Sequence, residues 1–436
     1  MPESRDGCRA ASSFNGRIQD GMQQDKERLL QWIKRDREKL LNLAGDLIRA
    51  QSPNPPGETR AVAERIAAGL DAEGLAFTVC TPDQKRPNIV ASFSGGANGR
   101  TLVLNGHMDV LPVAESEAWT HDPWSGVVHG GKIWGRGATN MKCGLAIALS
   151  VYIYLHRMRG SIAGSLTFSA VSDEIVLGGG GTAYLMDRAP EILGDACLIA
   201  EPSGLPTIRF GEKGPIRLRF RVRSNGGHGA FAHLGEGAIR SAGRLMQDLE
   251  SLREMACPTP KDVDAALCDA SVATDETQGP GASGIVRQVT VTIAQIEGGI
   301  AKNMIPAECR FVADIRVPLG LKQRDVMNRI EEIAARYSDT GFEVLDSNPP
   351  AWSDPYGELP AIIRANVKYL TGFDPVPAVS LGCTDARLWR YRGIPCYTYG
   401  PPPTGMGGVD EHVDVENFMH AMRTHALTAY DYLAGG

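Results

Sequence analysis

The chain has 436 residues, 43% of them hydrophobic and 22% charged, a length and balance that fit a globular protein of two domains better than one of a single domain. A formal net charge of −6, from 45 basic and 51 acidic residues, argues against nucleic acid or an anionic membrane as the main partner. Nine scattered cysteines with no CxxC pair read as reduced thiols, hence a cytoplasmic protein.

In chain order, the N-terminus is polar without an apolar signal core and reads as a loose arm until a helix begins near Lys26. Residues 26–50 and 60–73 read as amphipathic helices, followed by the strand runs "LAFTVC", "NIVASF" and "TLVLNGHMDV". "CGLAIALSVYIYL" is the longest apolar run; at 13 residues it is short for a bilayer and suits a buried helix. "GSLTFSAVSDE" is a strand, a Gly-rich turn follows at 178–181, then a helix near 182–187 and the strand "DACLIAEPSG". This alternation predicts an α/β domain with helices on the faces of a central sheet.

The pattern changes near residue 208. "PIRLRFRVRS", "RQVTVTIAQIEGG", "ECRFVADIRV" and "FEVLDS" read as strands, with helices at 238–253 and in "QRDVMNRIEEIAARY" and a polar loop to about 284. The order β-α-β-β-α-β is a ferredoxin-like unit. The α/β pattern resumes with a helix near 358–369, so the expectation is a larger α/β domain of 1–207 and 349–436 with 208–348 inserted.

Acids and histidines follow successive strands, where open α/β sheets place ligands. They are His107 and Asp109 in "NGHMDVLP", Asn140 in "ATNMK", Asp173 and Glu174 in "VSDEIVLGGGG", and Glu201 in "IAEPSG". An HxD carboxylate can hold the second nitrogen of a metal-binding imidazole, although such a pair alone serves as readily in a surface or capping role. Asn140 reads by local propensity as a helix N-cap, or else stands where a charged ligand is expected. Cys143 and Cys383 read as inert thiols rather than nucleophiles. "RLRFRVR" reads as a solvated sheet face, and "GEKG" as a turn between domains from which Lys213 could face the cleft.

The stretches "NGHMDVLP", "DPWSGVVHGGKIWGRGATNMKCG", "SDE", "EPSG", "GGHGAFAH", "NMIPAECRFVADIRV" and "GCTDAR" resemble the metallopeptidase family of carboxypeptidase G, acetylornithine deacetylase, succinyl-diaminopimelate desuccinylase and the aminoacylases, over about residues 40–430. The resemblance implies an aminopeptidase-like catalytic domain with a mixed central sheet and a lid that also dimerises. It implies two zinc ions sharing an Asp, and a small-molecule substrate bearing a carboxylate. Carried over by position, His107 and Glu201 match metal ligands, Asp109 the support of His107, Glu174 the general base and His228 the lid histidine. Asn303, Arg316 and Thr384 match substrate-contacting positions.

Three positions depart from that pattern. The bridging Asp is Asn140, the second Glu of the acidic run is Ile175, and the C-terminal His falls on Gly407, with His412 as the alternative. All three would serve one metal, so a two-zinc site is not expected, and the cofactor is none or one weakly held zinc at His107, Glu201 and Asn140. The favoured expectation is an enzyme acting at an amide or related carbon with little or no metal and Glu174 as acid/base; condensation, cyclisation, acyl transfer and isomerisation all suit that description. The alternatives are a mono-metal amidohydrolase and a non-catalytic dimeric binder.

Overall fold

The computed structural model describes residues 6–96, 99–114 and 118–435. The chain forms two compact units: Met1–Ile208 with Tyr356–Val376 and Leu388–Gly436, and Arg209–Pro355 with Pro377–Arg387.

The first unit opens with helices α1 (Asp6–Arg35), α2 (Arg37–Arg49) and α3 (Arg60–Ala72). Helix α1 thus starts twenty residues before Lys26; no proline interrupts the sequence between Pro2 and Pro53. The single helix expected over 26–50 is broken at Asp36, which leaves helical geometry (φ −91°, ψ 14°) and accepts hydrogen bonds from Arg35 and the Tyr154 hydroxyl. Strands β1 (Thr78–Cys80), β2 (Asn88–Ser94), β3 (Thr101–His107), β4 (Lys132–Trp134), β5 (Ser165–Val171) and β6 (Ala196–Ile199) follow, with α4 (Cys143–Arg157) before β5 and α5 (Thr182–Arg188) after it.

Strands β3, β5 and β6 are buried on both faces, which is why they read as near-continuous apolar runs. They lie parallel as β5-β3-β6, and β2 joins β5 antiparallel, so the sheet is mixed as expected. His107 ends β3 opposite Val171, the last residue of β5. Three neighbouring strands therefore deliver their carboxyl ends to one place. Helix α4 packs on β3 and β5 from one side, and its residues 143–155 are all buried. With the irregular turn before it, 138–157 is long and apolar enough to cross a membrane, longer than the 13-residue run foresaw, but 94% of its apolar 18-residue stretch is buried within the protein.

In the second unit, β7 (Gly214–Arg223), α6 (Ala238–Leu249), β8 (Thr290–Gly298), β9 (Glu308–Val317), α7 (Gln323–Ala334) and β10 (Thr340–Ser347) form an antiparallel sheet of order β8-β9-β7-β10. This is the ferredoxin-like arrangement. On β7, Ile216, Leu218, Phe220 and Val222 enter a core with Leu245, Leu249, Ile330 and Ile333, while Arg217, Arg219, Arg221 and Arg223 face outward. The arginines pair with Asp314, Glu343 and Glu308, consistent with a solvated face. The polar stretch before 284 is not a plain loop. It carries three short helices, Lys261–Asp269, Ser271–Gln278 and Ala282–Ile285, seated by Val263, Ala266 and Leu267.

The chain returns through α8 (Glu358–Thr371), β11 (Cys396–Thr398), which pairs parallel with β6, β12 (His412–Asp414), which pairs with β4, and α9 (Val415–Ala434). Helix α9 buries His420 and His425. The His420 Nε2 lies 2.8 Å from the Tyr399 hydroxyl, and the His425 Nε2 donates to the Tyr399 carbonyl at 2.6 Å.

Burial lowers both imidazoles to about 4. A depressed histidine favours the native state while it stays neutral. Its contribution is complete above the unfolded value near 6.5 and is lost as pH falls towards 4, at up to about 1.4 kcal/mol per pH unit for each group. Urea midpoints measured from pH 7 to 4.5 should therefore drop below pH 6.5, and the drop should be shallower in His425→Gln.

Candidate active site

The site begins with a turn. In "GRGATN", Gly137 takes φ +81°, and a Cβ there would come within 2.3 Å of Val110 Cγ1, so only glycine lets the chain pass. The turn throws Asn140 out of helical geometry (φ −122°, ψ 92°), and α4 starts only at Cys143. Asn140 is thus not the cap of α4. Its Oδ1 lies 2.8 Å from His107 Nε2.

His107 is buried, and both ring nitrogens meet oxygen. Nδ1 is 2.8 Å from the Asp109 carbonyl. Nε2 faces Asn140, with Glu201 Oε1 at 3.3 Å and Glu174 Oε2 at 3.7 Å. Burial opposes a charge on the ring, but the carboxylates of Glu174, Asp109 and Glu201 outweigh it and hold the imidazole well above its ordinary value. The pocket around Nε2 calls for one positive charge, a proton or a cation.

Asp109 is fully buried and organises the neighbouring strand end. It accepts the backbone N–H groups of Glu174 at 3.2 Å and Ile175 at 3.0 Å, and the amide of Asn54 at 2.8 Å. Burial pushes its carboxyl up, but His107, Asn54 and the Ile175 N–H more than offset this and leave it below the usual range. Asp173 sits at φ 71° and accepts from Asn54, Arg86 and Gly180. That capped turn presents Glu174, itself buried.

Among the described residues, His107, Glu174 and Glu201 form the one group of at least three His, Cys, Asp or Glu side chains whose donor atoms all lie within 4.8 Å. With the Asn140 carbonyl this donor set fits one cation. Two other positions of the family pattern carry no side-chain donor. Ile175 offers only its N–H, already given to Asp109, and a side chain at Gly407 (φ +74°) would press on Leu111 Cδ1 at 2.9 Å. His412 is no substitute, because its ring bonds Lys132 Nζ at 2.9 Å and the Asp410 carbonyl at 2.8 Å and packs on Trp134.

The remaining expected residues belong to the second unit. His228 and Asn303 are exposed: the His228 Nδ1 accepts the Ala230 N–H, and the Asn303 carbonyl accepts the Gly229 N–H. Arg316 is gripped by both oxygens of Asp314, and Thr384 donates to Glu212 at 2.8 Å. Lys213 donates to the carbonyls of Ile285 and Gln288. Cys143 is buried and its thiol pushed up by burial, an inert group.

Sequence reasoning passed over four buried residues that hold the site. Asn54 ties Asp109 to Asp173, and Glu411 with Arg136 supports the Asn140 turn. Lys142 donates to the Ala50 carbonyl, and burial brings its ammonium down to about 7 against the pull of Asp109 and Glu411. The available signal was charge without an obvious solvated position, as in the arginine between two glycines of "GRG".

The sequence profile of peptidase family M20/M25/M40 matches residues 103–431. The chain belongs to this family. It is 30% identical to the succinyl-diaminopimelate desuccinylase of Cereibacter sphaeroides over 407 residues, covering 90% of this chain and 98% of that one. The enzyme of that name from Methylorubrum extorquens is also 30% identical, over 410 residues, with 89% and 98% covered. In fold it is similar to an M20 family metallo-carboxypeptidase from Sulfolobus solfataricus (TM-score 0.76, 14% identity, 90% of this chain and 99% of that one). A di-peptidase from Saccharomyces cerevisiae is comparable (TM-score 0.75, 17% identity, 94% and 99%). This M20 chain is therefore an enzyme of a hydrolase family, with the α/β fold expected from its strands.

Replacing Asp109 by Asn sets an NH2 group or an uncharged oxygen against donors that now meet a carboxylate. Unfolding in urea should show a loss of about 2–4 kcal/mol.

Proposed function

We propose that this M20 chain cleaves an amide bond in an amino-acid-derived substrate bearing a carboxylate, with Glu174 as acid/base and no more than one cation. The observation that carries this reading is the convergence of Glu174, Glu201 and the Asn140 carbonyl on His107 Nε2, at the carboxyl ends of three parallel strands. The desuccinylase names of relatives aligned over most of their length support amide hydrolysis ahead of condensation or isomerisation.

Glu174 is buried with its Oε2 3.7 Å from His107 Nε2, where its carboxylate can take a proton from water as the water oxygen attacks the amide carbon. As the C–N bond breaks, the same carboxyl returns the proton to the departing nitrogen. A cation at His107, Glu201 and Asn140 would, when bound, polarise the amide carbonyl and make a bound water more acidic. Asp109 fixes the His107 ring and the backbone under Glu174, so these groups keep their spacing. We assign His228, Asn303 and Thr384 to substrate contacts. Arg316 would join them only by exchanging Asp314 for a substrate carboxylate. A homodimer through the second unit is part of this proposal.

Metal content decides the cation count. Protein dialysed against zinc and analysed by mass spectrometry should hold at most one equivalent; two would overturn the proposal. Asn140→Asp alone should not raise the count, because Ile175 and Gly407 still contribute no donor. Glu174→Gln should lower kcat against N-acyl amino acids by on the order of 100-fold or more. Unchanged turnover in that variant would remove Glu174 from the chemistry.

A further inference from the structure

We infer that Glu411 is a positioning residue for the site, and that it fixes where the Asn140 oxygen stands against His107. Glu411 is 1% exposed, and so is Arg136, whose Nη1 donates to Glu411 Oε2 at 2.8 Å. The other carboxylate oxygen, Oε1, accepts the Thr139 hydroxyl at 2.7 Å, the Thr139 N–H at 3.0 Å and the Asn140 N–H at 3.3 Å. The main chain adds to the grip: the Gly135 N–H donates to the Glu411 carbonyl at 2.9 Å, and Arg136 reaches the Gly408 carbonyl at 3.1 Å.

One buried carboxylate therefore gathers the two consecutive backbone N–H groups that lead into Asn140. It comes from a segment some 270 residues away in sequence. The turn it holds has non-helical backbone at Asn140 and Met141, so no regular helix ladder keeps these residues in place. Backbone N–H groups in such a turn need an acceptor, and a charged acceptor makes the stronger bond. Glu411 is not among the hydrogen-bond or ion-pair partners of His107, so it acts through Asn140. Asp410, its neighbour, faces elsewhere and accepts from the Thr120 N–H and hydroxyl.

The test uses the full chain with 15N-labelled histidine, the His107 ring signals being identified by their loss in His107→Gln. Glu411→Gln keeps the side-chain shape and removes the charge. Thr139→Val removes one hydrogen bond and leaves the Arg136–Glu411 pair. In both, with folding verified by thermal melting, the His107 Nε2 resonance should shift while the Nδ1 resonance, bonded to the Asp109 carbonyl, stays in place. Asp410→Asn, a change in the same segment, should move neither. Hydrolysis by Thr139→Val should show kcat reduced by roughly 10-fold or more with KM nearly unchanged, as expected when a group is misplaced rather than lost. The spectroscopic readout stands without any substrate, so failure of the amide-hydrolase reading is separable from failure of this one. Unchanged His107 signals in folded Thr139→Val and Glu411→Gln would overturn the assignment, as would equal shifts in Asp410→Asn.

Discussion

A buried imidazole with oxygen against both of its nitrogens is the contact around which the first unit is arranged. His107 cannot hold that position alone, because burial disfavours its charge. The ring is sustained by carboxylates delivered from β5 and β6 and by Asp109, two residues past the end of its own strand. The parallel packing of β5, β3 and β6 is what lets residues far apart in sequence end side by side. The apolar strands and the buried helix α4 thus serve the site by fixing where those strand ends stop.

Around this centre the acids divide the work by environment. Asp109 is saturated by N–H donors and held ionised, so it orients its neighbours. Glu174 rides on a turn braced by Asp173, Asn54 and Arg86 and faces the imidazole. Glu411 lies outside the ring of groups on His107 and governs the turn that brings Asn140 in. At Asn140, Ile175 and Gly407 the chain departs from the two-cation pattern that its resemblance implied, while this supporting framework stays whole. Ile175 still gives its N–H to Asp109, so the backbone role at that position survives the loss of the carboxylate.

Much of this was legible in the residues. The switch from mixed α/β alternation to strict two-residue alternation in "PIRLRFRVR" marks the second unit, because burying one sheet face requires it. The site candidates His107, Glu174 and Glu201 stood out because each ends or follows a strand. Other features were hidden for definite reasons. The 261–285 helices are short and polar, and their few apolar residues mean little until something packs on them. Arg316 and Thr384 looked available, yet intramolecular partners, Asp314 and Glu212, engage them.

Sequence by itself determined the family, the fold class and the lack of side-chain donors at Ile175 and Gly407, since these depend on residue type and order. A side chain without a donor atom cannot acquire one by folding. Tertiary structure decided whether Asn140 caps a helix or faces His107, because that depends on a turn fixed by Glu411 from the far end of the chain. It also decided that His412 turns to Lys132, and that Arg136, Lys142 and Glu411 are buried. Charges of that kind read as solvated in a linear sequence, and only the packed chain shows which of them have exchanged water for one another.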